Sequence, residues 1–466
     1  MQSVRLILVG LVLVGVALTV AQGISHARFG FAVGTAFVIA VFIFVFVKTE
    51  AGLYLVLFSM LLSPEFGAGG TLAEGRTVII RLEDLLLIAI SCSWFAKMAV
   101  NKEMGLVVKT PLNRWILFYI VTQALATLLG YATGAVKTAA GFLYVFKYVE
   151  YFVVYYMTVN YLRDREQAWR LVATAFVTAA LVSVVGAAQI PGGARVTAPF
   201  EGEAGEPNTL GGYLILMMAL AAALALETQR LRTRLWSLGL LALMAVPFAY
   251  TLSRASYVGA MGMLGTLVLL SSRRKVMLGV LVLALVSAPW LVPTLLPRAV
   301  TRRVLYTFEP ERGQATVRLG QLAFDPSTSQ RLVSMQQALE WWTRRPVFGY
   351  GITGYRFLDS QFVRTLVETG IFGFAAFLGL LVALLRGGLQ AFRTLRDPDD
   401  RGIALGFLAG TVGLLIHAIG SNTFIIVRIM EPFWFFAGIV FMLPTLERAP
   451  ERASARLPLP AYGFPR

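Results

Sequence analysis

Runs of about twenty apolar residues recur along this chain, separated by short turns that carry arginine and lysine. Each run matches the thickness of a bilayer's hydrocarbon core, which takes roughly 17 to 25 residues of helix to cross. Inside hydrocarbon only helices or closed barrels satisfy their own backbone. Windows of this kind fall at residues 5–22, 29–47, 83–98, 113–130, 141–161, 167–190, 209–227, 235–252, 255–271, 276–296, 361–386, 402–420 and 427–446. A shorter run, 51–62, spans only with help from its neighbours. The chain is therefore predicted to be an all-α polytopic membrane protein with about 12–14 transmembrane helices. Hydrophobic residues are 57% of the 466 and charged residues 14%, a balance that no single soluble core could hide. The first run has the proportions of a signal peptide, but similar runs follow at once, so it reads as an uncleaved helix.

Cations in the short loops set the orientation. Lys48, Lys102, Lys109, Arg114, Arg163, Arg165, Arg230, Arg232, Arg234, Arg273, Arg274, Lys275, Arg386, Arg393, Arg396 and Arg401 all fall on one side, with Arg448, Arg452 and Arg456. That side is expected to be cytoplasmic, with both termini there. The net charge of +16 then meets anionic lipid, and no nucleic-acid partner is expected. Cys92 stands alone, which excludes an internal disulfide or a CxxC site. The chain divides into transmembrane helices at 1–296, one long extracytoplasmic loop at 297–360, further transmembrane helices at 361–446, and a tail at 447–466 expected to be disordered.

The long loop is too polar to span. Leu332, Met335, Leu339 and Trp342 recur in it at helical spacing, with Gln336, Gln337, Glu340 and Arg344 on other faces. Such a helix can lie flat at the membrane interface or simply seal the top of the bundle. Pro346 stops it. FGYG at 348–351 suits a turn whose backbone approaches a ligand, and GITG at 351–354 suits a mobile lid.

Charges also gather at the outer ends of the spans. Arg81 with Asp84, Lys147 with Glu150 and Arg428 with Glu431 are spaced i to i+3, and Arg364 with Glu368 i to i+4, so each pair can share a helix face. Any one pair can be a salt bridge that orients helices. Four on one side point to a polar cavity in the outer half of the membrane. Arg254 in TLSRAS and Arg195 before APFEGEAGEPN have no evident local partner, and each can snorkel to headgroups or grip phosphate through its bidentate fork. Asp397, Asp399 and Asp400 read as a solvated turn, His417 as a hydrogen-bonded packing residue and His26 as interfacial. No metal-ligand spacing is present and no cofactor is expected.

Taken in order, SRAS at 253–256, the R-x10-W-x3-P-x-FGYG pattern from Arg331 to Gly351, and DSQFVRTLVETGIFG at 359–373 resemble the bacterial O-antigen ligase and polysaccharide polymerase superfamily. RLEDLLLIA from Arg81 and the EPN ending at Asn208 fit more loosely. The resemblance implies a GT-C-like fold and a glycosyltransferase without bound metal. It would move glycan from an undecaprenyl-diphosphate-linked donor to an acceptor hydroxyl on the outer face of a bacterial inner membrane. In lipopolysaccharide ligases the re-entering helix begins with His-Asn. Here Phe362, Leu366, Glu368 and Gly370 keep that register, while Asp359 and Ser360 stand at the two positions, as in polymerase-like members.

Attack of a sugar hydroxyl on an anomeric carbon needs a proton acceptor and stabilisation of the departing diphosphate. The expected roles are Asp359 as base with Glu368 as the second choice, Arg195 and Arg254 as diphosphate ligands, and Arg331, Arg364, Arg81 and Lys147 as glycan or phosphate contacts. The expected partners are the lipid-linked donor, a glycan acceptor, the bilayer and a chain-length regulator protein. A ligase acting on lipid A core or protein, and a flippase or other transporter, stay open.

Overall fold

The computed structural model describes residues 29–63, 65–66, 71–73, 76–77, 80–100, 108–138, 140–200, 205–279, 318–319, 322–323 and 325–454. The expected spans at 5–22 and, from residue 280 on, 276–296 lie outside the described residues, as do His26 and the tail beyond 454. Thirteen main helices follow in order among the described residues: α1 Phe29–Val47, α2 Thr49–Leu62, α3 Leu82–Val100, α4 Asn113–Ala132, α5 Ala140–Tyr161, α6 Arg165–Gln189, α7 Pro207–Glu227, α8 Leu231–Tyr250, α9 Arg254–Leu270, α10 Pro326–Trp342, α11 Gln361–Thr394, α12 Pro398–His417 and α13 Val427–Ser454. Three two-stranded ladders connect them, one of them pairing Glu65 with Arg81. Residues 447–454, expected to be part of a disordered tail, continue α13 as helix.

The protein is an all-α polytopic membrane fold. Six of its described helices are long and apolar enough to cross a bilayer, within Asn113–Ala132, Arg165–Gly192, Pro207–Glu227, Leu231–Tyr250, Gln361–Thr394 and Val427–Glu447. Burial ranks them: 83% of the apolar window of α7 is inside the protein against 22% for α8, so α7 is the axis and α8 is left to face lipid. The closeness of α7 to α12 comes from glycines. A Cβ on Gly402, Gly406 or Gly410 would fall 2.9 Å from the Leu224 Cα, 2.5 Å from the Leu220 Cα and 2.8 Å from Leu216 Cδ1. Small residues every fourth position let two helices approach backbone to backbone, which is where membrane helices find dispersion energy that lipid does not supply.

Two features shape the end of the bundle that carries Asp359. First, α11 breaks at Gly370, whose φ is +64° and ψ −165°. Carbonyls freed by the break accept from the FGYG segment: Tyr350 N donates to Val367 O at 3.1 Å and Gly351 N to Glu368 O at 2.7 Å, while Ile371 N reaches Pro346 O at 2.9 Å. Second, α10 docks through Ala338 and Trp342 onto Tyr350, Leu358 and Val367. Of its expected apolar line, Trp342 packs on this cluster while the two leucines stay out of it. Leu332 and Leu339 stay 38% and 42% exposed, as on a helix resting at an interface rather than one plugging a lid into a core.

Candidate active site

Arg254 opens α9 behind the N-cap Ser253, whose hydroxyl accepts from Ser256 N and donates to Asn208 Oδ1 at 2.6 Å. This cap fixes where the guanidinium leaves the helix. Its Nη1 and Nη2 then reach Asp325 Oδ1 and Oδ2 at 2.5 and 3.0 Å, a bidentate fork onto the residue that begins α10. Burial pushes the Asp325 carboxyl up, but the Arg254 guanidinium and the Thr328 hydroxyl outweigh it and hold the group below its usual range. Less than two turns further along α10, Arg331 Nε meets Asp359 Oδ2 at 2.6 Å. Helix α10 is thus clipped twice, to the start of α9 and to the residues leading into α11. Asp359 keeps 27% of its side chain exposed, so it is a carboxylate at a rim.

The loop between α12 and α13 joins the two clips from below. Gly420 lies under Ala255, and a Cβ there would sit 3.5 Å from that residue's Cβ. Two residues earlier, Ala418 O accepts from Gln361 N at 3.0 Å, and Asn422 donates to Leu358 O. Arg254, Asp325, Arg331 and Asp359 therefore share one rim. Sequence reasoning missed Asp325, because its partner is 71 residues away and no local spacing marks it.

The remaining candidates divide. Arg195 is exposed behind the rim, donating to Thr251 O at 3.0 Å and Leu252 O at 3.3 Å, and so braces the turn that presents Arg254. That turn is strained: Leu252 has φ +50°, and Phe200 and Thr353, also with positive φ among the described residues, lie in other loops. Arg364 and Glu368 form the expected pair at 3.1 Å, both buried beneath the FGYG turn. Glu368 Oε1 also accepts from Thr353 N at 3.2 Å, which ties the GITG segment to α11, while Arg364 Nη2 is buried without a hydrogen-bond partner among the described residues.

Lys147 joins a different network. It meets Asp84 at 2.5 Å and its own-helix neighbour Glu150 only at 3.8 Å. Arg81 sits in a ladder opposite Glu65, and its side chain lies outside the described residues. The expected pair of Arg81 with Asp84 therefore lies outside the described residues, while that of Arg428 with Glu431 gives way to a longer reach. Arg428 is fully buried, 3.8 Å from Glu83, and donates to Pro199 O and Ser63 O. A guanidinium in a dry bundle is better satisfied by carbonyls of neighbouring segments than by one carboxylate on its own helix. His417 is a packing residue, its Nδ1 2.7 Å from Thr423 Oγ1. Asp397 and Asp400 bind Arg165 at 2.6 and 2.7 Å, and Asp400 is buried rather than solvated.

Residues 239–378 match the O-antigen ligase family model. The chain thus carries an O-antigen ligase domain over these residues, consistent with a member of the O-antigen ligase and polymerase superfamily. The ligase-family domain takes in α9, both clips of α10, the FGYG turn and α11 through its break, so Arg254, Asp325, Arg331, Asp359, Arg364 and Glu368 all lie inside it. Arg195, Lys147 and Arg81 lie outside. The match supports a ligase- or polymerase-type function on a lipid-linked glycan at a membrane. No curated protein matches the chain.

Proposed function

We propose that the protein is an inverting glycosyltransferase that polymerises polyprenyl-diphosphate-linked oligosaccharide units into O-antigen or exopolysaccharide. Arg254 carries the reading: at the rim that holds Asp359, its fork already grips an anion in bidentate geometry. A diphosphate offers the same paired oxygens with more charge, so donor binding displaces Asp325 from the fork. Arg195, bracing the turn, adds a second positive charge. Asp359 accepts the proton of the attacking hydroxyl. The new glycosidic C–O bond forms as the anomeric carbon–phosphate oxygen bond breaks, the diphosphate departs with the electron pair, and the anomeric configuration inverts. Glu368, buried and engaged by Arg364 and Thr353, holds the turn beneath and is the second choice as base. Arg331 orients Asp359 and, with Arg364, offers contact to glycan; Lys147 and Arg81 stand further back. A carboxylate at the position where lipopolysaccharide ligases carry histidine favours polymerase over ligase.

Purified protein in liposomes, given only the lipid-linked oligosaccharide, should build a ladder of longer chains. A ligase would need a second acceptor, such as lipid A core, and a flippase would change no covalent bond. Normal elongation rates in both Asp359→Asn and Arg254→Ala would overturn the assignment.

A further inference from the structure

At the opposite end of the bundle a second polar pocket has no part in this chemistry. Helix α11 starts just after Asp359 and runs 34 residues, and Asp397 beyond its far end binds Arg165 at the start of α6 at 2.6 Å. The α5–α6 turn therefore lies a full bundle length from the rim. Beside it, the α1–α2 junction and the ends of α3 and α5 enclose a pocket of about 470 Å³. Ligand pockets run from about 300 to 1,000 Å³.

The lining carries four cations, Lys48, Lys97, Arg163 and Arg170, against two carboxylates, Glu50 and Asp164. Both carboxylates are engaged. Asp164 caps α6 by accepting from Gln167 N at 2.8 Å, and Glu50 lies 3.6 Å from Arg170. Lys97 Nζ donates to Thr49 Oγ1 at 2.5 Å, while Lys48 and Arg163 are exposed at the mouth. A second observation points inward. Tyr161 lines the same pocket, is 4% exposed, and its hydroxyl, beside Thr49 and Arg163, donates to no acceptor among the described residues. A buried hydroxyl without an acceptor is destabilising, and one that faces an excess of cations is completed by an anionic oxygen. Val47, 67% exposed at the edge, leaves one wall open to an acyl chain.

We propose that this pocket binds a phosphate group, with Tyr161 donating to a phosphate oxygen and Lys48 and Arg163 balancing its charge. An anionic phospholipid headgroup and a free phosphate share that chemistry. The test uses the full-length protein in neutral detergent. Native mass spectrometry compares dioleoylphosphatidylglycerol with dioleoylphosphatidylcholine, and thermal shift follows inorganic phosphate. Wild type should retain phosphatidylglycerol over phosphatidylcholine or be stabilised by phosphate; the first result names a lipid as the source and the second a free anion. Lys48→Gln/Arg163→Gln should weaken that binding about tenfold. Tyr161→Phe should weaken it severalfold while melting at or above the wild-type temperature without ligand. Arg232→Gln, a cation at the same end outside the pocket, should bind as wild type does. The proposal is overturned if wild type shows neither preference, if the pocket variants bind within twofold of wild type, or if Arg232→Gln loses as much as they do.

Discussion

Single residues decide the chemistry at the rim. With Asp359 as the proposed proton acceptor, Asp359→Asn is expected to lower elongation by about 10² to 10⁴, measured as ladder formation by correctly inserted protein. Asp325 has its carboxyl held below its ordinary range by Arg254 and Thr328. A depressed folded value means that the Arg254–Asp325 clip contributes its stability above the unfolded carboxylate value, about 3.9, and loses it as pH falls through the lower folded value. Wild-type melting temperature should therefore drop below about pH 4, and Asp325→Asn should show a smaller drop. Gly370 is required by geometry: its φ is +64°, and a Cβ would stand 2.2 Å from Val347 O. Gly370→Ala should cost about 2 kcal/mol or more, read as a lowered unfolding midpoint. Asp359 and Gly370 were marked by the superfamily resemblance of the 359–373 motif. The sequence was silent on Asp325 because an ion pair across 71 residues leaves no periodic trace.

Among the elements, the α7–α12 pair and α10 behave differently. The first is held by glycines that let backbones touch, so Gly406→Val must push the Leu220 backbone away and should destabilise by about 1 to 3 kcal/mol, measured by thermal unfolding in detergent. Helix α10 has few buried residues and two clips. Its hydrophobic spacing was legible from Leu332, Met335 and Leu339, but which face would meet protein was not. Periodicity reports that a stripe exists and cannot say whether lipid or a neighbouring helix covers it.

Over the whole molecule, membrane helices and basic turns were readable because hydrocarbon imposes length and apolarity on every span. Orientation can be tested with the lone thiol removed by Cys92→Ser. An impermeant maleimide should label Arg344→Cys in intact cells and Arg232→Cys only after lysis; the reverse pattern would invert the expected topology and place the rim in the cytoplasm. The buried charges were legible as residues and not as pairs. Spacing foretold Arg364 with Glu368, yet Lys147 sits closer to Asp84 than to Glu150 and Arg428 reaches Glu83, because in a dry bundle the nearest opposite charge is chosen by how helices pack.

From the sequence alone came the membrane class, the start of α11 and the motifs that carry the superfamily resemblance, all properties of short stretches governed by local sterics and hydropathy. Only the tertiary structure decided that Arg254 and Asp359 share one rim, that Asp325 already occupies the arginine fork, and that Glu368 is buried under a turn. Those depend on helices distant in the chain meeting at fixed depth, and hydropathy selects the depth of a helix without naming its neighbour.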